Sequence, residues 1–237
     1  MHTAKRPPAK HQPKGLTVLH EDKDIVVVVK SSGLLTMGTD RDKSRTVHTI
    51  LNEHVRKGDP RSRNRIYIVH RLDRETSGIL VFAKSEPAKI FLQEHWQETD
   101  KRYITVVYGS LTPKAGTISS YLAENSAFTV YSTSDPALGK LSHTEYSVLK
   151  EAKGFSLLEI HLLTGRKHQL RVHLSEKGHP VVGDRKYGKR NDVYGTLALH
   201  ARSISFTHPV SGKRLTFETG IPDYFTRLVG KIEVGSQ

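Results

Sequence analysis

The chain predicts an α+β fold in which strands outnumber helices, and three observations carry that expectation. Short, β-branched apolar runs bounded by polar residues recur at 25–29, 66–69, 79–83 and 101–109. Helical spacing is confined to a few stretches, chiefly 46–57, 86–98 and 164–177. The runs of the second half are separated only by short Gly, Pro and Asp turns, and such connections favour antiparallel pairing.

In chain order, residues 1–15 carry four Lys/Arg, three Pro and no acid. That is the composition of a disordered basic arm able to touch RNA backbone, or of an untidy terminus. One globular domain is expected over 16–230, with a frayed tail at 231–237. Residues 25–29 read as a buried strand, and Lys30-Ser31-Ser32-Gly33-Leu34-Leu35 turns into a second apolar edge. Helix 46–57 puts Val47, Ile50, Leu51 and Val55 on one face, with Thr46 as N-cap and Gly58 as stop. Helix 86–98 starts from Ser85 with Pro87 in its first turn, and Ile90, Phe91 and Trp96 are expected in the core. Strand 101–109 sets Tyr103 and Tyr108 on opposite faces, so both cannot line one pocket. Further strands are expected at 117–122, 127–131, 144–149 and 156–163. A helix capped by Thr164 and closed by Gly178 follows, then a turn at 183–188, a strand at 199–206 and a short helix opened by Pro222.

Composition narrows the chemistry. With no cysteine there is no disulfide framework, thiol nucleophile or Cys-based metal site. The trio His161, His168 and His173 lacks the i, i+4 pair that sets two ligands on one helical face, so no metal is expected. No phosphate-cradling Gly-rich loop and no dinucleotide fingerprint occurs, so no nucleotide or redox cofactor is expected. No apolar run approaches the ~20 residues of a membrane helix, and no secretory apolar region follows the basic start. A soluble, cytoplasmic, monomeric protein is expected. The net charge of +13, from 37 Lys+Arg against 24 Asp+Glu, favours a polyanionic partner. Cations concentrate in 56–74, which holds Arg56, Lys57, Arg61, Arg63, Arg65, Arg71 and Arg74.

Two segments hold the candidate chemistry. Between the apolar runs 66–69 and 79–83 lies His70-Arg71-Leu72-Asp73-Arg74-Glu75-Thr76-Ser77-Gly78. It sets Asp73 among cations on a connection held by a rigid scaffold. Such a carboxylate suits covalent or electrostatic catalysis at an anionic polymer, or it merely neutralises its arginines and helps close a turn. The second segment is Leu163-Thr164-Gly165-Arg166-Lys167-His168-Gln169-Leu170-Arg171-Val172-His173-Leu174. Arg166, Lys167 and His168 fall at the start of an expected helix, where the macrodipole disfavours cations. They either meet an anion there, Asp73 or an RNA phosphate, or form a solvated basic end.

His70 to Gly78, followed by Ile79-Leu80, resembles the signature of the RluA-type family of RNA pseudouridine synthases. The segment from Thr164 to His173 resembles that family's second motif. The stretches Gly183-Asp184-x-x-Tyr187-Gly188, Leu199-His200-Ala201 and His208-Pro209 are also similar to it. The likeness runs from about residue 18 to about residue 230. One departure is Ser31, which stands where the family usually has proline.

The resemblance implies the pseudouridine-synthase catalytic fold. That fold is a large, mixed, mainly antiparallel sheet in two joined lobes flanked by helices, with the active-site cleft between them. It implies that Asp73 is the residue the chemistry cannot lose, that Tyr103 supplies the active-site aromatic and that Arg166 pairs with Asp73. It further implies that Leu170 packs near the target base and that Arg71 fills the space a flipped base vacates. His70, Arg74, Lys167, His168 and Arg171 are expected to join them in holding RNA.

The expected reaction converts uridine in rRNA or tRNA to pseudouridine. The C1′–N1 bond breaks, the base turns, and C5 rejoins C1′. A carboxylate can stabilise or trap a sugar carbon with oxocarbenium character, as in glycosidases. The base must first leave its stack. The rival readings are a non-catalytic RNA-binding or assembly factor and an RNA N-glycosidase releasing uracil.

Overall fold

A computed structural model describes residues 12–13, 15–38 and 45–231. The expected basic arm therefore lies almost wholly outside the described residues, as does the tail beyond Lys231. In chain order the elements are β1 (Leu16–Glu21), β2 (Ile25–Lys30), α1 (Val47–Arg56), β3 (Tyr67–Ile68), β4 (Ser77–Ala83) and α2 (Glu86–Glu94). Then come β5 (Asp100–Tyr108), β6 (Ala115–Glu124), β7 (Val130–Thr133), β8 (Lys140–Ala152), β9 (Phe155–Leu162) and α3 (Gln169–Glu176). The last are β10 (Leu199–Thr207), β11 (Arg214–Glu218) and α4 (Asp223–Val229). Strands and helices coexist as an α+β fold. No helix among the described residues is long and apolar enough to cross a membrane.

The chain divides into two compact units, Met1–Thr99 with Ser203–Thr219 and Asp100–Arg202 with Gly220–Gln237. In the first unit the unbroken β-branched run of β2 is buried on both faces, with antiparallel partners β1 on one side and β4 on the other. The short β3 pairs with the end of β4, and the hairpin β10–β11 supplies Ile204 and Phe206 to the core. Ile25, Val27, Ile79, Val81, Leu92 and Phe206 form that core. Each such side chain contributes about 1.5–3 kcal/mol on burial.

Helix α1 starts as its sequence indicates. Thr46 accepts from the Thr49 amide, the Thr49 hydroxyl reaches back to Thr46, and Lys57 ends the helix in the left-handed region at φ 52°. Helix α2 is capped by Ser85 but buries Ala88 and Leu92. The expectation that Ile90 belongs to the core is corrected, since Ile90 is 47% exposed. Phe91 and Trp96 pack at the core's edge, and Trp96 lies in a 3-10 turn beyond the helix.

The second unit is built on an antiparallel sheet ordered β5-β9-β8-β6-β7. Helix α3 packs on β6, β7 and β8, and α4 on β5, β8 and β9. Ile104, Val106, Leu157, Leu158, Ile160, Leu174, Phe225 and Leu228 fill its core. The strand expected at 127–131 begins only at Val130. The Asn125 side chain accepts the amides of Ala127 and Thr129 and turns the chain there instead.

Candidate active site

Asp73 belongs to the first unit, on the connection between β3 and β4, and is half-buried. Every residue of the loop from 72 to 75 has its carbonyl hydrogen-bonded, mostly from the segment 30–36. Thr36, buried to 2% exposure, donates its hydroxyl to the Leu72 carbonyl at 2.9 Å and accepts the Leu72 amide at 3.2 Å. The Asp73 carbonyl accepts the Thr76 amide at 3.2 Å. The Arg74 carbonyl accepts from the Gly33 amide at 2.8 Å and from the Lys30 ammonium at 2.9 Å. Ser32 donates to the Glu75 carbonyl at 2.7 Å.

Lys30 is the centre of this arrangement. It is fully buried, and its Nζ also donates to the carbonyls of Ser31 at 3.0 Å and Leu34 at 2.7 Å. An ammonium has three protons to give, and here all three have carbonyl acceptors. Burial pulls its pKa down to about 8, while the carboxylates of Glu75 and Asp73 pull the other way. A positive charge thus sits beneath the loop in addition to the expected arginines. Sequence reasoning missed Lys30 and Thr36 as site residues. The available signal was a charged residue closing a four-valine run.

The remaining residues of this segment divide by exposure. Arg56, Lys57, Arg61, Arg63, Arg65, Arg71 and Arg74 are all exposed. His70 is turned inward. Its Nε2 accepts the Val81 amide at 3.0 Å, and its ring lies 4.5 Å from Trp96, so it anchors the loop to β4.

In the second unit the expected helix over 164–177 is corrected: α3 begins at Gln169, and 163–168 form a turn. Arg166 and Lys167 therefore precede the helix and His168 is its N-cap, so none of the three occupies the first turn. Gln169, 1% exposed, organises the turn. Its side-chain carbonyl accepts from the Thr164 hydroxyl at 2.9 Å and the Arg166 amide at 3.0 Å. Its amide group donates to His143 and Thr144 on β8, both at 2.9 Å. Arg166 itself is exposed. Lys167 pairs with Glu124 and lies over the Phe128 ring, 5.4 Å from its centroid.

His168 takes a left-handed backbone at φ 54°, and its Nδ1 meets the Tyr187 hydroxyl at 2.8 Å. That hydroxyl also accepts the Val130 amide at 3.0 Å, which ties the turn to the β6–β7 connection. Beneath lies Arg171, 5% exposed, with Nε and Nη2 each 2.8 Å from a carboxylate oxygen of Asp184. Burial works against the charge on Asp184, but Arg171 and the amides of Tyr187 and Lys186 outweigh it and hold the carboxyl below its ordinary range. Arg171 was expected to hold RNA. Its guanidinium is committed to this buried bidentate pair, which shapes the turn instead. Leu170 is likewise 5% exposed and part of the core. Tyr103 stands on β5 opposite Ile160, half-buried at the edge of the same core.

Among the described residues, the one cluster of possible cation ligands does not fit its donors. Asp22, Asp24 and His208 come within 4.8 Å of one another. However, His208 Nδ1 accepts the amides of Val210 at 3.2 Å and Ser211 at 3.0 Å, which puts the ring proton on the Nε2 that faces Asp22. A metal there would have to displace that proton. His161, His168 and His173 are held by separate partners: Asp100 and Glu145, Tyr187, and Ser120 and Thr144.

Comparison with known proteins agrees with this architecture. The family model described as RNA pseudouridylate synthase matches residues 24–176. An uncharacterised RNA pseudouridine synthase of Mycoplasma genitalium is 36% identical over 220 residues, 90% of this chain and 69% of that protein. Ribosomal large subunit pseudouridine synthase D of Neisseria meningitidis is 34% identical over 239 residues, 94% of this chain and 63% of that protein. The solved structure of human RNA pseudouridylate synthase domain containing 4 is similar with a TM-score of 0.74 at 25% identity, covering 88% of this chain and 90% of that one. With over half its length matched by the family model and relatives above 30% identity, the chain belongs to the RNA pseudouridylate synthase family, isomerases that act on RNA.

Proposed function

We propose that Asp73 carries the isomerisation, acting on the ribose of a flipped-out uridine either by attack on C1′ or by removing a sugar proton. The observation that supports this reading is the immobilised loop. A carboxylate whose backbone neighbours are bonded at every carbonyl from Leu72 to Glu75 is held ready before substrate arrives. Such preorganisation is what a group acting on one sugar carbon requires. Tyr103 stacks on the base and takes up a proton, and Arg166 brings positive charge to the carboxylate. Arg71 enters the space the base leaves, and Arg74, Lys167 and the cations of 56–65 hold phosphates.

Ribosomal RNA of the large subunit is the substrate to test first, because a relative spanned along 94% of this chain carries that target in its name. The protein works as a cytoplasmic monomer without nucleotide cofactor or metal. The test incubates wild type and Asp73→Asn with unmodified large-subunit rRNA and resolves the digested nucleosides. Wild type should yield pseudouridine without free uracil. Asp73→Asn should bind the same RNA and yield none. Pseudouridine from Asp73→Asn would overturn the assignment, and release of uracil would indicate a glycosidase.

A further inference from the structure

The tip of the β6–β7 hairpin carries a phenylalanine that neither the turn nor the core accounts for. Phe128 sits at φ 57°, a backbone region that favours Gly or Asn and strains a bulky side chain. It is 63% exposed. The tip is nonetheless held firmly. Asn125 accepts the amides of Ala127 and Thr129, each at 3.0 Å, and the Phe128 amide donates to the Asn125 carbonyl at 2.9 Å.

Two lysines border this tip. Lys167, paired with Glu124, lies over the Phe128 ring, and Lys186 donates to the Phe128 carbonyl at 2.6 Å. The base of the hairpin is fastened to the turn that carries Arg166, through the Val130 amide, the Tyr187 hydroxyl and His168. A rigid, exposed aromatic flanked by lysines is the arrangement that receives unpaired nucleobases: the ring stacks while the cations neutralise phosphate. We infer that Phe128 is a stacking platform for an unpaired base of the RNA. This rests on the reading of the chain's site given above. It adds a specificity contact that no motif of the sequence marks.

The closing experiment separates stacking from catalysis. Phe128→Gly relieves the backbone strain, so its melting temperature should match or exceed wild type. Its affinity for a single-stranded RNA oligonucleotide and for large-subunit rRNA should fall about tenfold. KM for pseudouridine formation should rise by a similar factor with kcat retained. Phe128→Tyr should behave as wild type and Phe128→Leu as the glycine variant. In Phe128→Trp, adding the oligonucleotide should quench fluorescence beyond the change seen in wild type, whose only Trp is Trp96.

Unchanged RNA affinity in Phe128→Gly, full affinity in Phe128→Leu, or no added quenching in Phe128→Trp would each overturn the inference. The first of these would leave a protein partner as the occupant. If wild type forms no pseudouridine, the catalytic reading fails, and the fluorescence of Phe128→Trp still decides the stacking.

Discussion

Two buried polar residues set the conformation of the Asp73 loop. Thr36 satisfies both backbone groups of Leu72, and valine has nearly its shape without its hydroxyl. Thr36→Val should cost about 1–3 kcal/mol, because a buried donor and acceptor are left unmet. Lys30→Met removes a donor shared by three carbonyls and should cost about 3 kcal/mol. Both variants should bind RNA yet lose turnover by up to about a hundredfold, since small misplacements of a reacting group are expensive. Urea melts and single-turnover assays on the same preparations would check this. Turnover equal to wild type in a folded Lys30→Met protein would remove Lys30 from the positioning of Asp73. Neither residue stands out in the sequence as chemistry. Their hold on the loop runs through the carbonyls of Arg74 and Leu72, 44 and 36 positions away, which no local pattern encodes.

At the scale of elements, the turn following α3 depends on a close backbone approach. A Cβ on Gly188 would lie 2.0 Å from the Asp184 carbonyl oxygen, whereas one on Gly154 would meet nothing within 4 Å. Gly188→Ala should therefore cost well over the ~1 kcal/mol expected of Gly154→Ala, whose penalty is confined to its positive φ of 77°. It should also loosen Tyr187 from His168, visible as a change in the His168 imidazole NMR resonances. Comparing thermal melts of the two variants measures the difference directly. Helix α1 was readable to within a residue because its cap, apolar stripe and stop are all local. Helix α3 was not. Thr164, the expected cap, bonds instead to His143 and Gln169, and the cap falls four residues later at His168.

Charge and burial act on the whole molecule. Burial holds the pKa of His173 and of His200 at about 4, below the ordinary 6.5. Both are neutral in the folded chain near neutral pH. The unfolded chain takes up protons first as pH falls from 6.5 to 4, so stability is lost across that window, by up to about 3 kcal/mol for each histidine. Glu21, held at about 2 by His54 and Lys84 against the opposing effect of burial, adds a further loss between 4.5 and 2. Urea midpoints between pH 7 and 4.5 should fall accordingly, and His173→Gln should flatten the curve. The exposed cations of 56–74 predict a separate dependence on salt. RNA affinity should drop steeply with ionic strength, and replacing Arg61 and Arg63 by Gln should reduce the logarithmic slope by roughly one for each lost phosphate contact.

The sequence by itself determined the family, the α+β class and most strand positions, and singled out Asp73 as the candidate, because apolar periodicity, helix caps and a nine-residue signature are properties of neighbouring positions. It also located the cationic stretch. Only the tertiary structure decided which polar residues are spent on the scaffold: Arg171 on Asp184, His70 on β4, and Lys30 on three carbonyls. An arginine or lysine has the same letter whether it faces solvent or a buried acceptor. What separates the two is the burial and the partner that folding brings to it.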